Sequence, residues 1–431
     1  MKLPPPTRNA SIRISTVLVL GLSASVFALA GCEAGSDASA APAFTVRDSA
    51  GITIAESTDS AWTEATRWRI ADEPDLVIGS VDGSVPGTDF GSVPVPITLR
   101  DGFAVLEPQT DDIRVFDSEG RWVRKLGRQG DGPEEFRSLR SITAVVGDSV
   151  AGWDGSTRKI LTFPLDGGSP RYQATPDRMH AGRFGWEVTG WLPDGRYLLQ
   201  SRDDPVNRDP GRRLEMEWLV LHSPAGDSLD AFGPYPAHWT VANEQEQVFR
   251  PLLGGAARTR VADGTLWWAA PEAGFRIEAR DVESGVRRVV TRPMERVPVP
   301  EGVREAGLRS ELENPRASEP AVRAAMEQLW EEMPIVDTLP AFFDFLPSSD
   351  GGVWANQLLA PDDVPDDESW SLRAYASGLW TVFDPEGRWL GTMAMPHGFV
   401  LYEVGPDWIL GVRTDDLGVT WIERYPIIKP Q

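Results

Sequence analysis

Residues 115–122 read "VFDSEGRW" and residues 382–389 read "VFDPEGRW". The longer stretch "IRVFD" (113–117) alternates apolar and polar letters, as a half-buried strand does. "SEG" supplies the turn residues, and "RWVRKLG" runs back as a second strand. Hairpins of the same build stand at 161–173, 218–233, 275–290 and 379–393. A hairpin that returns every few tens of residues is the mark of a repeat architecture.

A second hairpin, with a short Asp-containing turn, is more regular still. It occurs in "ITLRDGFAVL", "TAVVGDSVAGW", "TGWLPDGRYLL", "TRVADGTLWW", "FLPSSDGGVWA" and "YEVGPDWILGV", with turn residues Asp101, Asp148, Asp194, Asp263, Asp350 and Asp407. Each precedes a hairpin of the first kind, except that Asp407 is followed by one strand only, "VTWIERYPI". Each unit is therefore four strands, A to D, with the Asp turn joining A to B and the Gly turn joining C to D. The last unit lacks strand D. The segment 68–80, "WRIADEPDLVIGS", precedes the first strand A and supplies it; its continuation 77–93 aligns with the link "KLGRQGDGPEEFRSL" (125–139). The expected fold class is all-β: a six-bladed β-propeller closed by an N-terminal strand joining the last blade.

Between blades 4 and 5 the pattern changes. "EGVREAGLRSELEN" and "EPAVRAAMEQLWEEM" read as helices, the second with Ser318 as N-cap, Pro320 in the first turn and an apolar stripe at Val322, Met326, Leu329 and Met333. This is a helical-hairpin insert at about 300–337.

The front of the chain is different material. Lys2, Arg8 and Arg13 precede an apolar run too short for a membrane span, which ends in "LAGC" at Cys32. These residues resemble a bacterial lipoprotein signal: 1–31 as signal peptide, and 32–43 as a lipidated (palmitate-bearing) cysteine and flexible tether. The globular part is 44–431. Cys32 is the single cysteine, so no internal disulfide or thiol chemistry is available. Glu33 follows it, which in the enterobacterial sorting pattern favours the outer membrane. The resemblance implies a lipid anchor in the bacterial cell envelope, on a periplasmic or surface face.

The stretch "RVFDSEGRWVRKLGRQGDGPEEF" is similar to an NHL repeat, and the mature chain resembles bacterial six-bladed propeller lipoproteins carrying such repeats. The formal charge is −22, and −25 once the three leader cations are removed. A surface of that sign repels nucleic acid and anionic lipid, which leaves the lipid tether as the membrane contact.

In an antiparallel blade the A–B and C–D turns share one face of the ring, and B–C and D–A connections share the other. The first set is uniformly short. The long pieces, 202–213, 234–251, about 300–337 and 360–370, all fall on the second face, and long loops on a rigid scaffold are where binding concentrates. The expected site is therefore at that channel mouth. Its candidate ligand-binding residues are Arg140, Glu187, Arg258, Arg260, Asp344, Asn356 and Glu403, with Trp239 and Trp370 in long loops to stack on a sugar or aromatic ligand. No nucleophile elbow, zincin, Walker or EF-hand motif is present. His180, His222, His238 and His397 are scattered, with His222 on a strand. The acidic run Asp362, Asp363, Asp366, Asp367, Glu368 is either a solvated loop or a Ca²⁺ site.

Two functions follow. One is a membrane-anchored binding or scaffold propeller without cofactor, taking an envelope protein or a small polar or sugar ligand. The other, implied by the lactonases and lyases built on six-bladed propellers, is a metal-dependent enzyme drawing ligands from Asn356, Asp344, Glu187 and Glu403.

Overall fold

The structure, a computed structural model, describes residues 43–81, 84–145, 148–176, 184–202 and 210–430. The leader, Cys32, His180 and residues 203–209 of one long loop lie outside the described residues.

Six antiparallel sheets follow one another along the chain. Blade 1 comprises Val95–Leu99, Gly102–Glu107, Asp112–Asp117 and Trp122–Leu126, joined by the Asp101 and Gly120 turns as the sequence pattern requires. Blades 2 to 6 occupy 139–174, 184–242, 258–291, 345–394 and 399–428. The last blade is completed from the other end of the chain: Thr420–Ile428 pairs with Arg69–Ile70 and with Leu76–Ile78.

Burial explains why the middle strands are so apolar. Gly102–Glu107 and Ser149–Asp154 are buried along their whole length, because both sheet faces are covered by neighbouring blades. The outer strand Trp122–Leu126 alternates between buried and exposed, because only its inward side is covered. Every pair of adjacent blades shares an apolar cluster: Leu106 with Phe136 and Leu161, Trp153 with Leu199, Phe232 with Leu266, Trp267 with Phe345, Trp354 with Ile409, and Phe103 with Leu410 and Ile78. The ring is thus sealed by side chains at each of its six joints. Each fully buried Leu or Phe contributes about 1.5–3 kcal/mol.

Three features depart from the sequence reading. The first is a hairpin of Phe44–Ser49 and Ile52–Ser57, turned at Ala50 and Gly51 (φ 54° and 77°). Ile52–Ser57 adds in parallel to the outer strand Arg287–Thr291 of blade 4. The chain then runs along blade 5, where Ala61 N donates to Trp389 O (2.9 Å) and Trp62 N to Leu390 O (2.7 Å), before reaching blade 6. Residues 44–78 form a belt over three blades.

The second departure is in blade 3. Residues 234–242, expected in a link, continue the strand Ser228–Ala242, because they pair with the equally long Gly211–His222. The third is the start of the second insert helix. The helices are Val303–Leu312 (α1) and Pro320–Glu332 (α2). Glu319, not Ser318, holds the N-cap position of α2 and makes no side-chain cap. Ser318 closes a short 3₁₀ turn instead, its hydroxyl donating to Pro315 O at 2.7 Å. Of the expected stripe, Val322, Met326 and Met333 are half-buried and Leu329 is exposed. The anchor is Trp330, whose ring sits where a Cβ on Gly307 of α1 would lie.

Candidate functional site

The long connections form one rim. Leu253 from the blade 3–4 link, Val303 from the insert, Leu339 from the chain that follows it, and Val364 and Tyr375 from the blade 5 loop make a separate small core. Leu252 N donates to Pro334 O (2.8 Å), and Asn243 Nδ2 donates to Glu332 Oε2 (2.8 Å). Trp370, proposed for ligand stacking, is half-buried here: its ring meets Trp330 edge-on at 5.9 Å, and its Nε1 donates to Asp367 O. It holds the insert to the blade 5 loop. Trp239, by contrast, is not on a loop. It lies on the extended blade 3 strand opposite Leu214, with the Arg212 guanidinium 4.3 Å from its ring centre.

The charged residues expected at the channel fall into three groups. Arg140 and Glu187 stand on the inner strands of blades 2 and 3; surrounding protein pushes the Glu187 carboxyl up, and Arg140 pulls it part-way down. Glu403 on blade 6 accepts from Thr98 Oγ1 (2.6 Å) and Thr98 N (3.1 Å) of blade 1, and burial raises its pKa. Glu403 thus joins blade 6 to blade 1, whereas Arg140 and Glu187 act on each other through their charges. The third group is different. Arg260 Nη2 donates to both oxygens of Asp344 (2.9 and 2.7 Å), and Arg258 Nε lies 3.9 Å from the same carboxylate. Asn356 holds the backbone there, with its N donating to Asp344 O and its O accepting from Phe343 N.

Beside that third group is a cavity of about 890 Å³ between blades 5 and 6. Its apolar wall includes Phe343, Trp380, Phe399, Tyr402 and Met395, and Arg260, Asp344 and Asn356 are its inner polar groups. Asn356 is 4% exposed; its Nδ2 donates to Ser377 O at 2.7 Å, while its Oδ1 has no partner. The structure therefore gathers three of the nine candidates around one space. The aromatic wall was not among the candidates. A signal for it does exist: residues 395–398 alone connect blades 5 and 6, the shortest such link in the ring, so little chain covers that joint.

Of the histidines, His222 is buried and stacked on Tyr197, with Nδ1 3.0 Å from Gly226 O; burial holds its pKa below the ordinary imidazole value. His238 lies on the extended blade 3 strand, and His397 is exposed at the cavity rim. Asp362, Asp363, Asp366, Asp367 and Glu368 are all exposed. Among the described residues, no three His, Cys, Asp or Glu side chains are grouped to hold a metal ion.

A family described as a 6-bladed beta-propeller matches residues 98–182, from strand A of blade 1 through blade 2. The fold is that of a bacterial six-bladed propeller. A solved member of the DUF4221 family from Bacteroides vulgatus is 11% identical, with a TM-score of 0.52, covering 85% of this chain and all of that one. A protein of Bacteroides fragilis described as exported is 12% identical, with a TM-score of 0.48, covering 88% of this chain and all of that one. Virginiamycin B lyase from Staphylococcus aureus is 10% identical, with a TM-score of 0.38, covering 84% of this chain and all of that one. At these identities the likeness concerns the fold alone. No curated protein sequence matches the chain.

Proposed function

We propose that the protein is an extracytoplasmic binding propeller, anchored in the bacterial envelope by lipid on Cys32, that takes a small ligand in the cavity between blades 5 and 6. The observation that carries this reading is the cavity itself: about 890 Å³, walled by aromatic rings, with a few polar groups converging at its inner side. Concave, mainly apolar sites of a few hundred Å³ with sparse fixed polar groups are what small-molecule recognition uses. The rim supports the same reading, because its own apolar core holds the surrounding loops in place before a ligand arrives. Lipidation rests on the "LAGC" sequence and the basic and apolar segments that precede it.

The test is a thermal-shift screen of envelope extracts and small-molecule sets against the wild type and Gly378→Trp. Gly378 lines the cavity, and a Cβ built there meets nothing within 4 Å, so the backbone accepts a large side chain at the cavity's edge. Compounds that stabilise the wild type should leave the variant unchanged; equal stabilisation of both would rule out the cavity. In the same cells, the wild type should partition into detergent and Cys32→Ser into the aqueous phase.

A further inference from the structure

We infer that the ligand of this cavity is a neutral aromatic molecule carrying a hydroxyl or N–H donor, which gives its hydrogen to Asn356 Oδ1 while its rings lie along Trp380, Phe399 and Phe343. The inference rests on the binding reading above and specifies its chemistry. Asn356 is 4% exposed and lines the cavity. Every other polar atom of the residue is engaged. Its N donates to Asp344 O (2.8 Å), its O accepts from Phe343 N (2.9 Å), and its Nδ2 donates to Ser377 O (2.7 Å) and reaches Leu379 O (3.4 Å). Those last two carbonyls also fix which way round the amide sits, because a flipped amide would set oxygen against oxygen. Oδ1 alone has no partner. A carbonyl oxygen shielded from water and left without a donor is costly, so a donor arriving from the cavity recovers what the empty site forfeits.

The neighbouring charges are already matched. Arg260 Nη2 donates to both Asp344 oxygens (2.9 and 2.7 Å), Arg260 Nη1 donates to Thr259 O (3.0 Å), and Phe345 N donates to Asp344 Oδ1 (2.8 Å). The guanidinium and the carboxylate in the lining are thus paired with each other, and a charged head group would shed its hydration without gaining a counter-ion. The walls favour rings. Phe343, Trp380, Phe399 and Tyr402 all line the space, and Trp380 and Phe399 are each 7% exposed. Aromatic rings pack on one another through offset and edge contacts that add to their area burial. A volume of about 890 Å³ admits a fused two-ring molecule.

The experiment is equilibrium dialysis of the full chain, with Cys32→Ser in the background, against naphthalenes that differ in one substituent: 2-naphthol, 2-methylnaphthalene, 2-naphthoate and 2-naphthylmethylammonium. The naphthol should bind at least about tenfold more tightly than each of the others, the magnitude expected when a buried acceptor gains its partner. Methyl replaces hydroxyl at nearly equal size, so that pair isolates the donor. Asn356→Leu should bring the affinity ratio of naphthol to methylnaphthalene down to about one. A merely structural role for Asn356 would weaken both and leave the ratio unchanged. The comparison within the wild type does not depend on that variant folding. Equal binding of naphthol and methylnaphthalene, tighter binding of either ion, no binding of the naphthol, or a ratio that persists in Asn356→Leu would each overturn the inference. Gly378→Trp separates the two levels: if it abolishes binding of compounds that the wild type does not distinguish, the cavity reading stands and the donor reading falls. If Gly378→Trp leaves binding intact, the cavity reading itself falls.

Discussion

The two near-identical octapeptides adopt the same turn and then behave in opposite ways. At 115–122 the Asp117 carboxylate accepts from Glu119 N (3.0 Å), Arg121 N (2.9 Å) and Arg121 Nε (2.8 Å), and these bonds hold its pKa below the usual carboxylate range. At 382–389 Asp384 accepts from Arg388 N at 2.7 Å, yet burial pushes its pKa up, with Glu386 adding to the rise. The difference lies in what covers them. In blade 5 the N-terminal hairpin draws the Arg388 guanidinium over the Phe44 ring (4.8 Å), and Ser57 Oγ accepts from Trp389 N. In blade 1 no such hairpin is present, and Arg121 folds back onto its own turn. Local sequence sets the turn; the neighbour across the joint sets the ionisation.

The largest test of this comparison is removal of residues 43–57. Uncovering Val290 and the blade 5 turn should cost about 2–4 kcal/mol in urea unfolding. It should also bring the Asp384 pKa down toward that of Asp117 in a carboxyl NMR titration. An unchanged Asp384 pKa would break the explanation.

A smaller effect is expected from alanine at the two turn glycines, both at positive φ (75° at Gly120, 84° at Gly387). At 387 the new Cβ meets Ala55 Cβ at 2.7 Å, a methyl that cannot rotate away. At 120 it meets Ile78 Cγ1 at 2.9 Å and Leu76 Cδ1 at 3.0 Å, which can. Gly387→Ala should therefore cost about 2–3 kcal/mol and Gly120→Ala about 1–2 kcal/mol; the reverse order would show the hairpin to be loosely seated.

The smallest effect is in the pH profile, and its sign is the informative part. Asp117, with a lowered pKa, contributes stability that is present above its unfolded value and lost as pH falls through the folded one. Asp384, with a raised pKa, contributes stability that is present below its unfolded value and lost as pH rises through the folded one. Asp117→Asn should lower the neutral-pH unfolding midpoint slightly, and Asp384→Asn should leave it equal or higher. Shifts in the same direction for both would contradict the opposed environments.

Much of the fold was legible because it is written in local chemistry. The Asp101, Asp148, Asp194, Asp263, Asp350 and Asp407 turns, with alternating strands on either side, mark every A–B hairpin. Closure by 68–80 was legible too, because an incomplete last unit and a spare strand must meet. The hairpin at 44–57 carries a turn signal at Ala50–Gly51, but its destination on blade 4 is a parallel pairing at a sheet edge, which no periodicity encodes. At the site, Arg260 and Asp344 were identified from their place at the start of inner strands, and Asn356 as a ligand that the likeness to propeller lactonases and lyases implies. Trp239 was misplaced, because a tryptophan between recognisable strands looks like a loop residue; Trp370 does lie in the blade 5 loop, where it packs on Trp330.

The sequence by itself determined the blade count, the order of strands and the face that carries the long connections, because turn residues and a two-residue period act over short distances. Only the tertiary structure decided which charged residues share a space, which tryptophans are structural, and that the cavity opens between blades 5 and 6. Those outcomes depend on contacts between units far apart in the chain: Arg258 and Arg260 on blade 4 meet Asp344 at the start of blade 5 because the two blades pack together across the helical insert.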